Sequence, residues 1–423
     1  MGRGFRWSVA MLVSLGLFAD PARAQEVVLD SYAGIGARAM AMGGAYSALS
    51  SDFTGLFWNP AGLARASSGE FYTSFSHESF RNQSRFYGSP STNRLSSSRL
   101  NAIGIVAPYP VLQGSLTFGG GYGKTQSLNS GLCIDGYDTA ADFEKSGVSE
   151  DRGSMGAYVA GGAVDLAPGT SVGVSLQVWR GSNRFEQELT QTDTRDAHGD
   201  TVRLYQSLAL SDDYKGIRLR AGFLYHHPSG LRFGLMVASP MTMNVSSTFE
   251  DSYEDVFEDG TDTYPVERIS DTYSIRYPFE FGAAAAWERG RFTLAGDAAY
   301  ADLQGATYSE LPASIAPQVD DFRVEYRSAF RLHLGGEYRL LDDRLALRAG
   351  YYRDPVSYKG GGSRPQVRVE NDRDVFTFGL GGLLEQTVAL DVGMTVGGYR
   401  QIEGSREDHV RSVRIFASTG YKF

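Results

Sequence analysis

The sequence predicts an all-β transmembrane fold, a 14-stranded antiparallel outer-membrane β-barrel with an N-terminal, partly helical hatch in its lumen. Three observations predict it. Apolar residues alternate with small or polar ones from near Glu70 to the last residue, the period of strands with one apolar face. The connections between the alternating stretches are long and short in strict turn, the rhythm of a barrel with tight turns at one end. The final stretch, "VRSVRIFASTGYKF", alternates through Val413, Ile415, Ala417, Thr419 and Tyr421 and stops on Phe423.

The first element reads as an address. Arg3 and Arg6 precede an apolar stretch from Trp7 to Phe18, and Ala22-Arg23-Ala24 forms an A-x-A cleavage site, so residues 1–24 are expected to be a secretory signal peptide. Their loss takes away three Arg and one Asp and moves the formal charge from −9 to −11. An acidic chain without a basic excess excludes nucleic acid as a partner. The single cysteine, Cys133, leaves no intramolecular disulfide, so stability must come from backbone pairing and packing.

Residues 25–67 are the second element, the expected hatch. The stretch "EVVLDSYAGIGARAMAMGGAYSALSSDFTGLFWNPAGLAR" lacks a strand period and offers two short helical possibilities broken by Gly. It is too apolar for a free tail, and fourteen strands enclose a lumen too wide for side chains alone to fill. Gly34 and Gly36 let the segment pack closely, Trp58 anchors it to the wall, and Asn59-Pro60 turns the chain toward the first strand, because Pro fixes φ and removes a donor where pairing has not begun.

Residues 68–423 are the barrel. Fourteen candidate strands lie at about 69–77, 100–109, 115–124, 154–166, 170–180, 213–225, 231–239, 272–287, 291–301, 325–339, 344–353, 372–384, 387–398 and 409–423. The short connections include "APG", "HHPSG" and "ERG"; the long ones carry Asp, Glu, Ser and Gly. Leu231, Phe233 and Leu235, or Phe330, Leu332 and Leu334, are expected to face lipid, with Tyr225, Tyr300, Tyr338 and Tyr351 among the aromatics of the two interfacial girdles. The opposite faces then place Arg218, Arg220, Arg331, His333 and Arg348 in the lumen. Two roles stand for these five: ion pairs tying hatch to wall, or an Arg meeting the carboxylate of an amphipathic ligand.

The hatch run "GIGARAMAMGGAYSALSSDFTGLFWNPAGL", the strand count and the terminal Phe resemble the FadL-type family of outer-membrane transporters for long-chain fatty acids and hydrophobic compounds. The resemblance implies a hatch plugging the barrel and passive uptake by surface capture, lumen binding and lateral release at a kinked third strand. The third strand here, "SLTFGGGYGK", holds Gly119, Gly120, Gly121 and Gly123; these glycines either break the ladder or let the hatch approach the wall. By the same resemblance the long connections near 181–212 and 240–271 form an outer capture groove offering Phe185, Leu208, Met241, Met243 and Phe249. The implied partners are a hydrophobic small molecule, outer-membrane lipid and the barrel assembly machinery, the last through the strand ending in Phe423. The hatch signature is also similar to barrels that shuttle secreted protein cargo, so a structural or secretion-associated barrel without a small ligand is the alternative.

Chemistry is sparse. Gly34-x-Gly36-x-x-Ala39 mimics a dinucleotide fingerprint but has no βαβ unit around it. No G-x-S-x-G or Walker-type loop occurs and the six histidines are scattered, so no enzyme and no cofactor are expected. The clustered carboxylates of the acidic stretch 248–271 offer the oxygen ligands that Ca²⁺ takes but lack the spacing of a known calcium loop; a solvated loop is the expectation, with a calcium site as its alternative, and no metal ligand is assigned.

Overall fold

The computed structural model describes residues 34–312, 321–341, 344–361 and 367–423; the expected signal peptide lies outside the described residues. The strands are β1 (Glu70–Phe86), β2 (Ser89–Tyr109), β3 (Leu116–Ser127), β4 (Ser130–Asp138), β5 (Phe143–Ala167), β6 (Thr170–Thr192), β7 (Thr201–His226), β8 (Leu231–Ala238) and β9 (Met241–Phe257). They continue with β10 (Gly260–Tyr277), β11 (Glu280–Arg289), β12 (Phe292–Ala301), β13 (Thr307–Ser309), β14 (Ala329–Leu340), β15 (Leu345–Asp354), β16 (Val367–Leu384), β17 (Val388–Glu403) and β18 (Arg406–Lys422). All ladders are antiparallel, and β18 closes on β1 from Glu70↔Lys422 to Phe86↔Arg406. Phe423 continues the closure, its N–H donating to the Gly69 carbonyl at 3.0 Å. Three pairs of elements, β3/β4, β8/β9 and β10/β11, act as interrupted strands, and the three-residue β13 only adds to the end of β10 while β12 pairs directly with β14, which makes the wall a closed 14-stranded antiparallel barrel. Closure leaves no unpaired edge to lipid, where an unsatisfied backbone group is costly.

The faces sort as the alternation dictates. Phe330, Leu332 and Leu334 are exposed to the exterior, while Arg331 and His333 between them point inward. On β6 the outward row runs Val174, Leu176, Val178 and then turns polar at Arg180, Ser182, Arg184 and Glu186. Its β7 partners switch at the same level, since Val178 pairs with Ile217 and Arg180 with Lys215. That change marks the outer edge of the apolar band. Above it the pairing does not stop.

This corrects the expected connections. Residues 181–212 and 240–271 are chiefly strand: the upper halves of β6 and β7, and the hairpin β9–β10, paired from Gly260↔Phe257 to Tyr277↔Met241. With charges outside and amides inside, these segments lose the apolar contrast by which a strand is read. The candidate strand at 272–287 is interrupted at Pro278, and the one placed at 325–339 begins at Ala329, after a helical turn, Phe322–Glu325.

Inside the wall lies the N-terminal segment. It contains α1 (Ala37–Ala41), α2 (Gly55–Trp58) and a 3₁₀ helix, Pro60–Arg65. Met40, Met42, Tyr46, Phe53, Leu56 and Leu63 are fully buried against the inner face of the barrel. Backbone comes so close at one place that a Cβ on Gly350 would stand 2.4 Å from the Gly43 nitrogen; only glycine fits there.

Candidate functional site

The N-terminal segment, called the hatch after its expected role, is fixed by side chains that project inward from many strands and satisfy its irregular backbone, as buried N–H and C=O groups require. Asp297 accepts the N–H groups of Tyr46 (3.1 Å) and Ser47 (2.8 Å), Thr377 donates to the Ala41 carbonyl (3.0 Å), and Ser175 donates to the Leu56 carbonyl (2.8 Å). Asn59 Oδ1 accepts from Ala61 N–H (3.1 Å) and its amide donates to the Phe223 carbonyl (3.1 Å), capping the 3₁₀ helix that Pro60 begins and tying it to β7. Trp58 Nε1 donates to the Ile35 carbonyl at 3.1 Å and so closes the hatch on itself.

Above this floor is a cavity of about 170 Å³. Ile35, Phe57 and Trp58 of the hatch form its base, and Met155, Met236, Met241 and Met243 line it from the wall. Four of the five expected lumen residues, Arg218, Arg220, Arg331 and His333, meet here. Arg218 (3.2 Å) and Arg220 (3.4 Å) share Glu280, Arg331 holds Asp354 at 2.6 Å, and one His333 ring nitrogen lies 2.7 Å from the Gly43 carbonyl oxygen.

The local backbone explains why the arginines converge. Pro240 and Pro278 face each other in the register that pairs Ala238 with Glu280 and Met241 with Tyr277, so neither strand has a donor at that level. The β7 ladder ends at Arg220↔Ala238 and resumes at Gly216↔Met243, a slip of one residue. Such a bulge re-aims side chains, and Arg218 Nε reaches the Ser239 carbonyl at 3.0 Å.

Arg348, the fifth, lies elsewhere. It bonds Glu337 (2.7 Å) and Asp391 (2.6 Å), and Glu337 also receives Arg38 of the hatch at 3.2 Å. This is a buried tie between α1 and the wall, outside the cavity lining. The residues expected at a surface groove are corrected as well. Phe185 and Leu208 are buried in a cluster with Leu210, on which Phe249 packs, while Met241 and Met243 line the lumen cavity. Strand alternation continues past the membrane edge and turns all of these inward.

Gly119, Gly120, Gly121 and Gly123 are paired on both sides, to β2 and to β5. A Cβ on Gly119 would be 3.1 Å from Leu63, one on Gly121 2.8 Å from Phe53, and one on Gly123 2.4 Å from Ile35, so three of them admit the hatch. The β2–β3 ladder ends at the last of them, with Ala102↔Gly123. There Asn101, the residue skipped in the β1–β2 register, accepts from Gly36 N–H and donates to the carbonyls of Lys124 (3.0 Å) and Gly34 (3.3 Å). Gly34 N–H donates to the Thr125 carbonyl at 3.1 Å. Thr125 and Gln126 also line the cavity, which therefore reaches this seam. Sequence reasoning missed Asn101, Trp179 and Tyr277; the inward parity that Gln177 shares with Trp179 on β6 was the signal available for Trp179.

A second, more polar cavity of about 230 Å³ lies against β1 and β15–β18, with Glu78, Asp354, Arg373, Asp408 and Arg414 in its lining. Among the described residues no three His, Cys, Asp or Glu side chains gather to hold a metal ion.

Comparison with known proteins places this geometry. Residues 17–415 match the model of the family described as "Outer membrane protein transport protein (OMPP1/FadL/TodX)". No curated protein sequence matches the chain. Among solved structures, the Pseudomonas putida toluene transporter TodX is 15% identical, with a TM-score of 0.63 over 93% of this chain and 99% of that one. A Pseudomonas aeruginosa FadL homologue is 13% identical, with a TM-score of 0.65 over 93% and 98%. The Ralstonia pickettii toluene transporter TbuX is 15% identical, with a TM-score of 0.61 over 92% and 98%. At these identities the likeness is one of fold.

Proposed function

The chain belongs to the outer-membrane transport protein family (OMPP1/FadL/TodX), a family of channels rather than of enzymes and seated in the bacterial outer membrane; from that premise we propose that it admits a small hydrophobic compound by passive, non-catalytic uptake. The compound is captured at the mouth formed by the extended hairpins, binds in the cavity above the hatch, and leaves sideways where the β2–β3 ladder stops. The observation that carries this reading is the cavity itself, with an apolar floor, a hatch beneath and Thr125 and Gln126 at the seam.

Size selects among ligands. An apolar cavity of roughly 150 Å³ accommodates benzene, so about 170 Å³ suits one ring and a small substituent and leaves no room for a whole long acyl chain. Thioethers beside the rings of Phe57 and Trp58 favour an aromatic guest. The toluene transporters TodX and TbuX share this fold. Outward-facing Phe and Leu meet membrane lipid, and β18 with Phe423 directly after it is the segment offered to the barrel assembly machinery.

The test is uptake of radiolabelled ethylbenzene by cells lacking other hydrocarbon channels. Wild-type protein should accelerate uptake, and Ala299→Phe, which fills the cavity, should abolish the gain. No acceleration over empty vector, for ethylbenzene and for its ring-hydroxylated analogue 4-ethylphenol alike, refutes the reading.

A further inference from the structure

We propose that the lumen cavity is built for an aromatic compound carrying a neutral hydroxyl group, a phenol-class ligand, rather than for a bare hydrocarbon or a carboxylate. The proposal rests on the uptake reading above and adds the polar group that the ligand must bear.

The observation is a set of buried polar atoms that have no hydrogen-bond partner among the described residues and that line this one cavity. On one wall these are Gln177 Oε1, Trp179 Nε1, Arg220 Nε and the Tyr277 hydroxyl. Gln177 is 1% exposed, Trp179 7% and Arg220 8%. They are neighbours: Gln177 and Trp179 are successive inward residues of β6, Gln177 pairs directly with Arg218 of β7, and Glu280 joins Arg218 to Arg220. Thr125 Oγ1, Gln126 Oε1 and Asp297 Oδ1 add further unmatched atoms to the same lining.

A buried polar atom without a partner costs free energy, and native interiors rarely tolerate several together. A hydrocarbon would leave every one of them unmatched. A carboxylate only accepts; it could satisfy the indole and guanidinium N–H groups but would stand against the amide oxygen of Gln177 and the carboxylate of Glu280. The cavity's arginines, moreover, already hold carboxylates, Glu280 for Arg218 and Arg220 and Asp354 for Arg331. A hydroxyl both accepts and donates, so it can take the Trp179 or Arg220 N–H and give its proton to Gln177 Oε1. The ring then lies on Phe57, Trp58 and the methionines. A site whose buried groups are matched by a hydroxyl discriminates strongly against the analogue without it.

The experiment measures binding of 4-ethylphenol, ethylbenzene and 4-ethylbenzoate to the full-length protein in lipid nanodiscs at neutral pH, corrected for partitioning into empty nanodiscs. We expect 4-ethylphenol to bind about tenfold tighter than either of the others, the size of one to two net hydrogen bonds. Trp179→Phe and Tyr277→Phe should each weaken 4-ethylphenol by roughly five- to tenfold and leave ethylbenzene within about twofold. Equal affinity for 4-ethylphenol and ethylbenzene, tighter 4-ethylbenzoate, or a parallel loss of ethylbenzene in both variants each overturns the proposal while leaving the uptake reading intact. Binding of none of the three compounds overturns the uptake reading as well.

Discussion

Gly36 donates its backbone N–H to Oδ1 of Asn101 over 3.0 Å, and the other end of the same carboxamide bonds the Lys124 carbonyl of β3 at 3.0 Å. One side chain therefore spans hatch, β2 and β3 at the level where the β2–β3 ladder has just ended. In an Asn101→Leu variant these buried backbone groups lose their partners, each at a cost of about 1–3 kcal/mol. The seam should loosen before the barrel does. Purified variant in planar bilayers should show flickering ion conductance that the wild type lacks, with an unchanged heat-modifiable gel shift; a silent variant would show that Asn101 does not hold the seam shut.

The Arg38–Glu337–Arg348–Asp391 cluster differs in kind from the ion pairs of the outer hairpins. The Glu337 side chain is 2% exposed and receives both arginines, whereas Arg184 and Glu186 are 64% and 50% exposed. Removing one member of a buried pair costs ~3–5 kcal/mol, and an exposed pair contributes little. Glu337→Gln should lower the unfolding temperature in detergent and speed proteolysis between Gly34 and Arg65. Glu186→Gln should do neither. Equal behaviour of the two variants would show that the buried cluster does not anchor α1.

The wall was legible because lipid imposes a period. Phe330, Leu332 and Leu334 could be assigned to the exterior, and Arg331 and His333 to the lumen, without knowing any partner strand. The hairpins were not legible: beyond Val178 and Ile217 the outward positions are Arg180 and Lys215, water replaces lipid, and the apolar contrast vanishes although pairing continues. The site was half legible for a related reason. Alternation says that Arg348 points inward, but which carboxylate it meets depends on register and on a hatch residue 299 positions from Glu337 in the chain. Nor does any local pattern reveal that Pro240 and Pro278 come to face one another and slip the β7 ladder beside Arg218.

Deleting residues 26–66 tests what the N-terminal segment blocks. With Phe53, Phe57, Trp58 and Leu63 gone, the wall keeps its ladders and the lumen loses its packed filling. The truncated barrel should pass ions and small polar solutes across a planar bilayer, and the intact protein should not. Equal conductance would mean that the segment is no plug.

Whether release requires the hatch to move can be decided by fastening it to β3. A Cβ placed on Gly123 lies 2.4 Å from Cδ1 of Ile35 and 2.7 Å from the Phe57 ring, so hatch and β3 touch there, and cysteines at 35 and 123 are the pair to join by a disulfide, whose Cβ atoms sit roughly 3.5–4.5 Å apart, once the Phe57 ring gives way. The natural chain has one cysteine, Cys133, and Cys133→Ser removes the competing thiol. Oxidation of the Ile35→Cys, Gly123→Cys protein should leave binding of a cavity ligand within about twofold but stop its uptake by cells, and reductant should restore it. Binding and uptake separate in this way only if the ligand reaches the cavity from the hairpin mouth and leaves past the hatch. Undiminished uptake by the oxidised protein would place the exit elsewhere on the wall, and loss of binding together with uptake would show that the hatch must move before the cavity can fill.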